Sequence, residues 1–371
     1  MKPLIIGIGR AGCRIASLFF RKGVSKVDYV GILLDTDRAH LEYHEHKHRL
    51  VIGESMVDGN GTGKNLKLGR KIMADEAIRI IEHIDLVRDN IDCLLVISSL
   101  GGGTGGAVDV LIHEMKKNYM EPVYYVGILP GGDDISRTFV NFSKSFKPIV
   151  AESDAVIPVD NDTLRDSMKL RGQFNYINGT VFWYLNNIFE VGEYRAPEEL
   201  GSNVLTASDI INTFKGISTI GIGKRKIDIE DENLDKPEMV VSLTEKSVRN
   251  TLTPIDFRSS NSALVVVSGP KRYLDFLGSI PSRLWVEKNI AGVEVRGGDL
   301  PGNKDSLEVT VLLSGIRKSE KLKYQYKLGE SIESGKLDAS GKVYEKMKVL
   351  LAKIDELKTI SSDIVEDIGS R

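Results

Sequence analysis

Apolar residues in the first half of the chain come in short continuous runs, each followed by a polar or glycine-rich cluster. Leu4–Ile8 reads as a buried strand that ends at Gly9-Arg10-Ala11-Gly12, after which Cys13–Lys22 places Ile15, Leu18 and Phe19 on one helical face. Tyr29–Leu34 ends at Asp35-Thr36-Asp37, Asp92–Ile97 at Gly101–Gly106, Val123–Leu129 at Pro130-Gly131-Gly132, and Ala155–Val159 at Asp160-Asn161-Asp162. Continuous apolar strands alternating with helices predict a parallel sheet covered on both faces. Ligands on such sheets lie at the carboxyl ends of the strands, and every cluster named here lies at such an end.

Helical spacing over Gln173–Phe189 predicts one long helix. After it the character changes. Ala263–Gly269 and Leu307–Leu313 predict strands and Lys271–Leu277 a helix, which together make a second, smaller α+β domain. From about Lys318 the chain is charged. Val343, Met347, Leu350, Leu351, Ile354 and Leu357 then recur at helical steps and predict a terminal helix.

Composition narrows the class. The 371 residues suffice for two ordinary domains. A net charge of −2 gives no general pull toward nucleic acid or an anionic membrane. Two cysteines, Cys13 and Cys93, make no disulfide framework and fit a reducing compartment. The N-terminus lacks the apolar core of a signal peptide, and no run approaches the roughly 20 apolar residues of a membrane span, so a cytoplasmic location is expected.

Two glycine loops carry the candidate chemistry. Gly7-Ile8-Gly9-Arg10-Ala11-Gly12 satisfies G-x-G-x-x-G between a strand and a helix, where glycine lets backbone approach a phosphate and the helix offers free N–H groups. Alone this is also the dinucleotide fingerprint, with Asp28, Asp35 and Asp37 near the place of a ribose-binding acid, so an NAD(P)-dependent oxidoreductase is the alternative. Gly101-Gly102-Gly103-Thr104-Gly105-Gly106-Ala107 argues against it. It is a second cradle, so rich in glycine that packing alone is not expected to account for it. Two such loops suit a triphosphate held between two helix N-termini. Gly59–Asn65 looks like a P-loop because of Gly63-Lys64, but Asp58 stands at the leading glycine and Asn65 at the required Ser/Thr.

At this point the chain resembles the tubulin/FtsZ superfamily, most of all its archaeal CetZ group. Gly101–Ala107 is similar to the tubulin signature, with Gly106 where Ser or Thr is usual and Ala107 for the last glycine. Gly9-Arg10-Ala11-Gly12-Cys13 resembles the first loop, Asp35-Thr36-Asp37 the N-T-D of FtsZ, Gly59–Asn65 the γ-phosphate-facing loop, Asp160–Leu164 the tubulin D-N-E-A-L stretch, and Val309–Ile316 the last FtsZ strand. The matches run in family order over roughly residues 3–317. The resemblance implies a Rossmann-like GTP-binding domain over residues 1–171, a central helix and linker over 172–204, an α+β domain over 205–317 and a helical tail over 318–371.

It also implies a function. The expected protein binds GTP or GDP, with Mg²⁺ accompanying GTP, and joins copies of itself head to tail. It meets no nucleic acid, and a membrane only through adaptors. Phosphate contacts fall on Gly9, Arg10, Ala11, Gly12, Cys13, Arg14, Gly61, Gly63, Asn65, Gly102, Gly103, Thr104, Gly105 and Gly106. Asp134 takes the place of a sugar-contacting Glu. Asn161 contacts the guanine edge or the ribose, Asn178 hydrogen-bonds the guanine edge and Phe174 stacks on the base. Arg14 departs from the Asn that FtsZ has there. Hydrolysis in the family needs an acid from the next subunit, in a loop after the central helix. Thr206–Phe214 matches that loop, so Asp209 is the catalytic candidate and Asn212 its neutral partner, where FtsZ has two acids. The competing reading of Asp209 is a helix cap, and a nucleotide-holding filament protein with little hydrolysis is a further alternative. The charged helical tail, in place of a flexible linker and docking peptide, favours a cell-shape role over the division ring. His40, His44, His46 and His48 cluster without a nearby cysteine, and no metal site is expected there.

Overall fold

The computed structural model describes residues 1–165, 173–193, 203–227, 236–275, 278–290, 294–302 and 305–335. Strands β1 (Pro3–Ile8), β2 (Val30–Asp35), β3 (Arg49–Val51), β4 (Cys93–Ser99), β5 (Val123–Ile128), β6 (Ala155–Val159) and β7 (Gly216–Ile217) form one sheet in the order β3-β2-β1-β4-β5-β6-β7. Every pairing in it is parallel. The central strands β1, β4, β5 and β6 are almost continuously apolar because both faces are covered. On one face Ile5, Leu95 and Val126 pack with Ile15 and Phe19 of helix Gly9–Phe19 and with Val181 and Leu185 of the central helix Gln173–Val191. On the other, Ile6, Val96 and Tyr125 meet Ile72, Leu111 and Phe142 from helices Leu66–Asp85, Val108–Asn118 and Ser136–Glu152.

The chain winds outward from β1 to β3 on one side and restarts at β4 on the other. The carboxyl ends of β1 and β4 are therefore a topological switch point, where two loops diverge and leave a crevice. Helix Gly9–Phe19 starts four residues earlier than its expected apolar spacing and stops at Phe19, so Gly9, Arg10, Ala11 and Gly12 are themselves its first turn. That helix lies close on the sheet. A Cβ on Gly12 would stand 2.0 Å from the Ile97 carbonyl oxygen, so only glycine allows the approach.

The central helix has 19 residues and is about 28 Å long at 1.5 Å per residue. Its Trp183 and Asn187 hydrogen-bond the fully buried Glu308 of a second sheet, and Asn187 also donates to Thr310 at 3.2 Å. That sheet holds β8 (Thr219–Lys226), β9 (Ser262–Gly269), β10 (Glu294–Pro301) and β11 (Ser306–Ser314) in the order β10-β9-β11-β8. Only β10 with β9 is parallel, which makes the second layer mixed. Helices Pro237–Arg249 and Ile280–Asn289 cover it. The helix expected over Lys271–Leu277 spans Lys271–Leu274, and residues 276–277 lie outside the described set.

The charged stretch after Lys318 contains helix Glu320–Glu333, which returns to the first sheet and packs on helix Ser136–Glu152. Gly329 permits the contact, since a Cβ there would lie 2.2 Å from the Phe139 carbonyl oxygen. The apolar spacing at Val343–Leu357 and the rest of the tail lie outside the described residues.

Candidate nucleotide site

A cleft of about 620 Å³ opens at the switch point. That size lies within the ordinary range for small-molecule sites. Gly9, Arg10, Ala11 and Arg14 line it from the first loop, and Gly102, Gly103, Thr104 and Gly105 from the second. Gly61 and Gly63 close one side, Asp134 and Asn161 another, and Phe174 and Asn178 reach in from the start of the central helix. Fourteen expected contact residues thus converge from six separate stretches of chain.

Four others stand behind the lining. Gly12 is pressed on β4. The Cys13 thiol is 3.4 Å from the carbonyl oxygens of Gly7 and Leu34, and burial pushes it well above its ordinary pKa, so it is a neutral packing group. Asn65 caps helix Leu66–Asp85, its side chain accepting from the Leu68 amide at 3.2 Å. Gly106 faces Leu100, Leu66 and Ser145. Conversely, Asp35, Thr36, Asp37, Asn60, Thr62, Lys64 and Ser99 line the cleft and were not singled out as contacts. Asp35, Thr36 and Asp37 belong to the cluster that ends β2 beside the first loop, and Asn60, Thr62 and Lys64 to the Gly59–Asn65 loop.

The glycines of the second loop also need a correction. They do make packing contacts. A Cβ on Gly103 would meet Thr62 Oγ1 at 2.4 Å and the Asn65 nitrogen at 2.7 Å, one on Gly101 would meet Thr138 at 2.8 Å, and one on Gly105 the Ser99 carbonyl at 2.8 Å. Gly102 differs, with nothing nearer than 3.7 Å. So the loop is glycine-rich chiefly because it is compressed between the Thr62 loop, helix Ser136–Glu152 and β4. Among the described residues the amides of Gly102, Gly103 and Thr104 have no acceptor. Three such N–H groups in a tight turn are the kind of donor set from which concave anion-binding nests are made.

Polar contacts hold the walls in place. Thr104 Oγ1 is 2.7 Å from Thr36 Oγ1 and 3.2 Å from Thr62 Oγ1, which joins three loops. Asp37 caps the turn Arg38–Glu42 by accepting from the His40 amide at 3.0 Å and pairs with Arg10 at 3.1 Å. The His40 bond and then Arg10 outweigh burial and hold its carboxyl below the ordinary value. Lys64, at φ 61°, stands 3.7 Å from Asp134. Asn161 Oδ1 is buried with no hydrogen-bond partner among the described residues, an acceptor that a ligand donor would satisfy. Phe174 keeps 54% of its surface exposed, a ring face available for stacking.

None of His40, His44, His46 and His48 lines this cleft. His40 bonds Asp35 at 2.9 Å, His44 bonds the Ser17 hydroxyl at 2.8 Å, and His46 stacks on Phe20 and reaches the Gly31 carbonyl.

Asp209 is elsewhere. It is the third residue of helix Ala207–Thr213 and forms a capping box with Thr206. Its Oδ2 accepts from the Thr206 amide at 2.9 Å and hydroxyl at 2.7 Å, and its Oδ1 accepts from Arg296 at 2.8 Å. Burial would raise its pKa, but the Thr206 bonds and the Arg296 charge outweigh that and hold the carboxyl low. Asn212 is exposed on the same helix. This helix abuts Gly192, just past the carboxyl end of the central helix, whereas Phe174 and Asn178 lie at its amino end.

Residues 2–169 match the tubulin/FtsZ family GTPase domain, and residues 167–330 the C-terminal domain of tubulin-like CetZ proteins. Tubulin-like protein CetZ1 of Haloferax volcanii is 31% identical over 356 residues, covering 87% of this chain and 90% of that protein.

The chain belongs to the tubulin/FtsZ family, in its CetZ group.

Solved CetZ structures agree. A GTPγS-bound protofilament of CetZ2 from Haloferax volcanii matches with a TM-score of 0.81 and 29% identity, covering 91% of this chain and 100% of that one. The GDP-bound monomer of CetZ1 from the same organism gives 0.79, also at 29% identity, covering 90% and 100%. FtsZ of M. jannaschii, at 18% identity and 0.66, covering 85% and 88%, shares the fold. Among the described residues no helix is long and apolar enough to cross a membrane.

Proposed function

We propose that the chain binds GTP in the switch-point cleft, assembles head to tail with further copies, and hydrolyses the nucleotide only where two copies meet. The observation that carries this reading is the separation of the parts. The central helix, about 28 Å long, stands between the cleft and Asp209, so this acid cannot serve the cleft of its own chain. It can serve the cleft of a neighbour stacked on the same axis. The GTPγS-bound protofilament of a CetZ relative supports that arrangement.

Gly102, Gly103 and Thr104 would hold phosphate oxygens through their amides, with Arg10 and Lys64 supplying charge. Phe174 would stack on the base, Asn161 and Asn178 would read its edge, and Asp134 would meet the sugar. Mg²⁺, if bound, needs no protein cage, since it is held largely by phosphates and water, where it neutralises charge on the triphosphate. Asp209 from the neighbouring chain would accept a hydrogen bond from the attacking water and orient it toward the terminal phosphorus, with Asn212 as neutral second partner. Both oxygens of Asp209 already accept bonds within their own chain, which favours slow turnover. A cytoplasmic cytoskeletal role in cell shape, rather than in the division ring, completes the reading.

The test is phosphate release from GTP with Mg²⁺ across protein concentrations. Specific activity near zero below a threshold and rising above it is the expected result. Activity independent of concentration would mean a site complete within one chain. No release at any concentration, with nucleotide still bound, would leave a filament protein that holds GTP without turning it over.

A further inference from the structure

Two of the cleft loops are braced from behind by the C-terminal helix Glu320–Glu333. Lys321 is 5% exposed, and its ammonium lies 3.1 Å from Asp160 and 3.2 Å from Asp162. Asp160 is itself 1% exposed and caps the turn Asn161–Leu164 by accepting from the Asp162 amide at 3.3 Å and the Thr163 hydroxyl at 2.7 Å. Asp162 also accepts from the Gly132 amide at 3.0 Å, joining this turn to the loop that carries Asp134. One helical turn after Lys321, Gln325 donates to the Pro130 carbonyl at 2.7 Å, at the start of that same loop. The close packing at Gly329 fixes the helix on Ser136–Glu152, which begins where the Asp134 loop ends.

A buried cation between two buried or half-buried carboxylates is costly to remove: Asp162 keeps Arg165 at 3.7 Å, but the buried Asp160 is left uncompensated. The turn bearing Asn161 would have to rearrange to expose Asp160 and Asp162. That turn places the unpartnered Asn161 Oδ1 at the cleft. We infer that Lys321 is a positioning residue for the base-and-sugar end of the nucleotide site, and that helix Glu320–Glu333 is a brace that sets how long the nucleotide stays and how well its base is read. This rests on the nucleotide reading of the cleft. Lys321 touches no ligand in this account; it acts through Asp160 and Asp162 on Asn161, and Gln325 acts through Pro130 on Asp134.

The experiment uses the full chain loaded with a fluorescent GDP analogue, chased with unlabelled GTP, ITP or ATP. In Lys321→Met, dissociation should be at least about tenfold faster, as expected when a buried pair is broken, and preference for GTP over ITP should shrink. Lys321→Arg should restore both to near wild type. Gln325→Ala keeps the buried charges balanced, so it reports even if Lys321→Met folds poorly, and it should show a smaller increase in the same direction. Unchanged dissociation and unchanged base preference in Gln325→Ala and in folded Lys321→Met, with only a lower unfolding temperature, would overturn the inference and leave a purely structural contact. Failure of the wild-type chain to take up any guanine nucleotide would overturn the nucleotide reading, and this inference with it.

Discussion

Thr36 and Thr104 are 68 residues apart in sequence and share a 2.7 Å hydrogen bond between their hydroxyls. The bond ties the end of β2 to the glycine loop after β4 and, through Thr62, to the loop that closes the cleft. Thr104→Val removes this junction and leaves Thr36 and Thr62 without their partner in a buried setting. A loss of about 1–3 kcal/mol is expected locally. The chain should still fold, since the sheet beneath is untouched, while affinity for GTP falls about tenfold or more. Titration of a fluorescent nucleotide, beside circular dichroism of the same sample, checks both halves.

Gly102 and Gly103 should respond oppositely to alanine. At Gly103 the methyl would collide with Thr62 and with the Asn65 backbone, so the loop and the cap of helix Leu66–Asp85 must shift, and the unfolding temperature should drop. At Gly102 the methyl has room. Gly102→Ala should keep the wild-type unfolding temperature yet bind nucleotide more weakly, because the added group stands on the wall of the cleft. Equal stability loss in both variants would refute this division.

Asp209 has two duties that can be separated. Asp209→Ala removes half of a capping box and the Arg296 ion pair, at a cost to stability of about 1 kcal/mol. Thr206→Ala breaks the same box but keeps the carboxylate. Both variants should be similarly destabilised in urea. Only Asp209→Ala should abolish the concentration-dependent rise in phosphate release. If Thr206→Ala abolishes it equally, the acid matters through the helix it starts rather than through water.

His44 gives the protein a pH dependence. Burial, followed by the neighbouring His40 and Arg14 charges, lowers its pKa from 6.5 to about 4. The folded state therefore takes up this proton less readily than the unfolded chain. Stability is complete above about pH 6.5 and is lost as pH falls toward 4. Between pH 7.5 and 5 this one group should cost about 2 kcal/mol. His44→Gln removes the titrating group, so its urea midpoint should fall less over that interval than the wild type's does.

The sheet and the cleft were legible because they rest on local pattern. A parallel strand buried on both faces must be continuously apolar, so β1, β2, β4, β5 and β6 announce themselves, and ligand loops must then follow their carboxyl ends. What stayed hidden depends on distance in the chain. The Lys321–Asp162 pair spans 159 residues, and a lysine in a charged stretch carries no mark of being buried. Gly12, Cys13 and Gly106 have the composition of a phosphate loop, yet a helix turn points them inward. Thr36 and Thr62 sit in loops that the sequence marks, but their junction forms only when three loops meet at Thr104. The roles of Asp209 as helix cap and as catalytic candidate look identical in sequence, since a Thr-x-x-Asp step serves both.

Phe174 lies in the first turn of the central helix and Asp209 beyond its other end, and this has an arithmetical consequence on the split-site reading. Each internal chain contributes to two hydrolytic centres and owns neither. A row of n chains then holds n − 1 complete centres, with one terminal chain presenting a cleft that has no acid and the other an acid that has no nucleotide to act on. Nucleotide at the first of these termini would outlast all the rest, so the age of the row would be written along its length from one particular end.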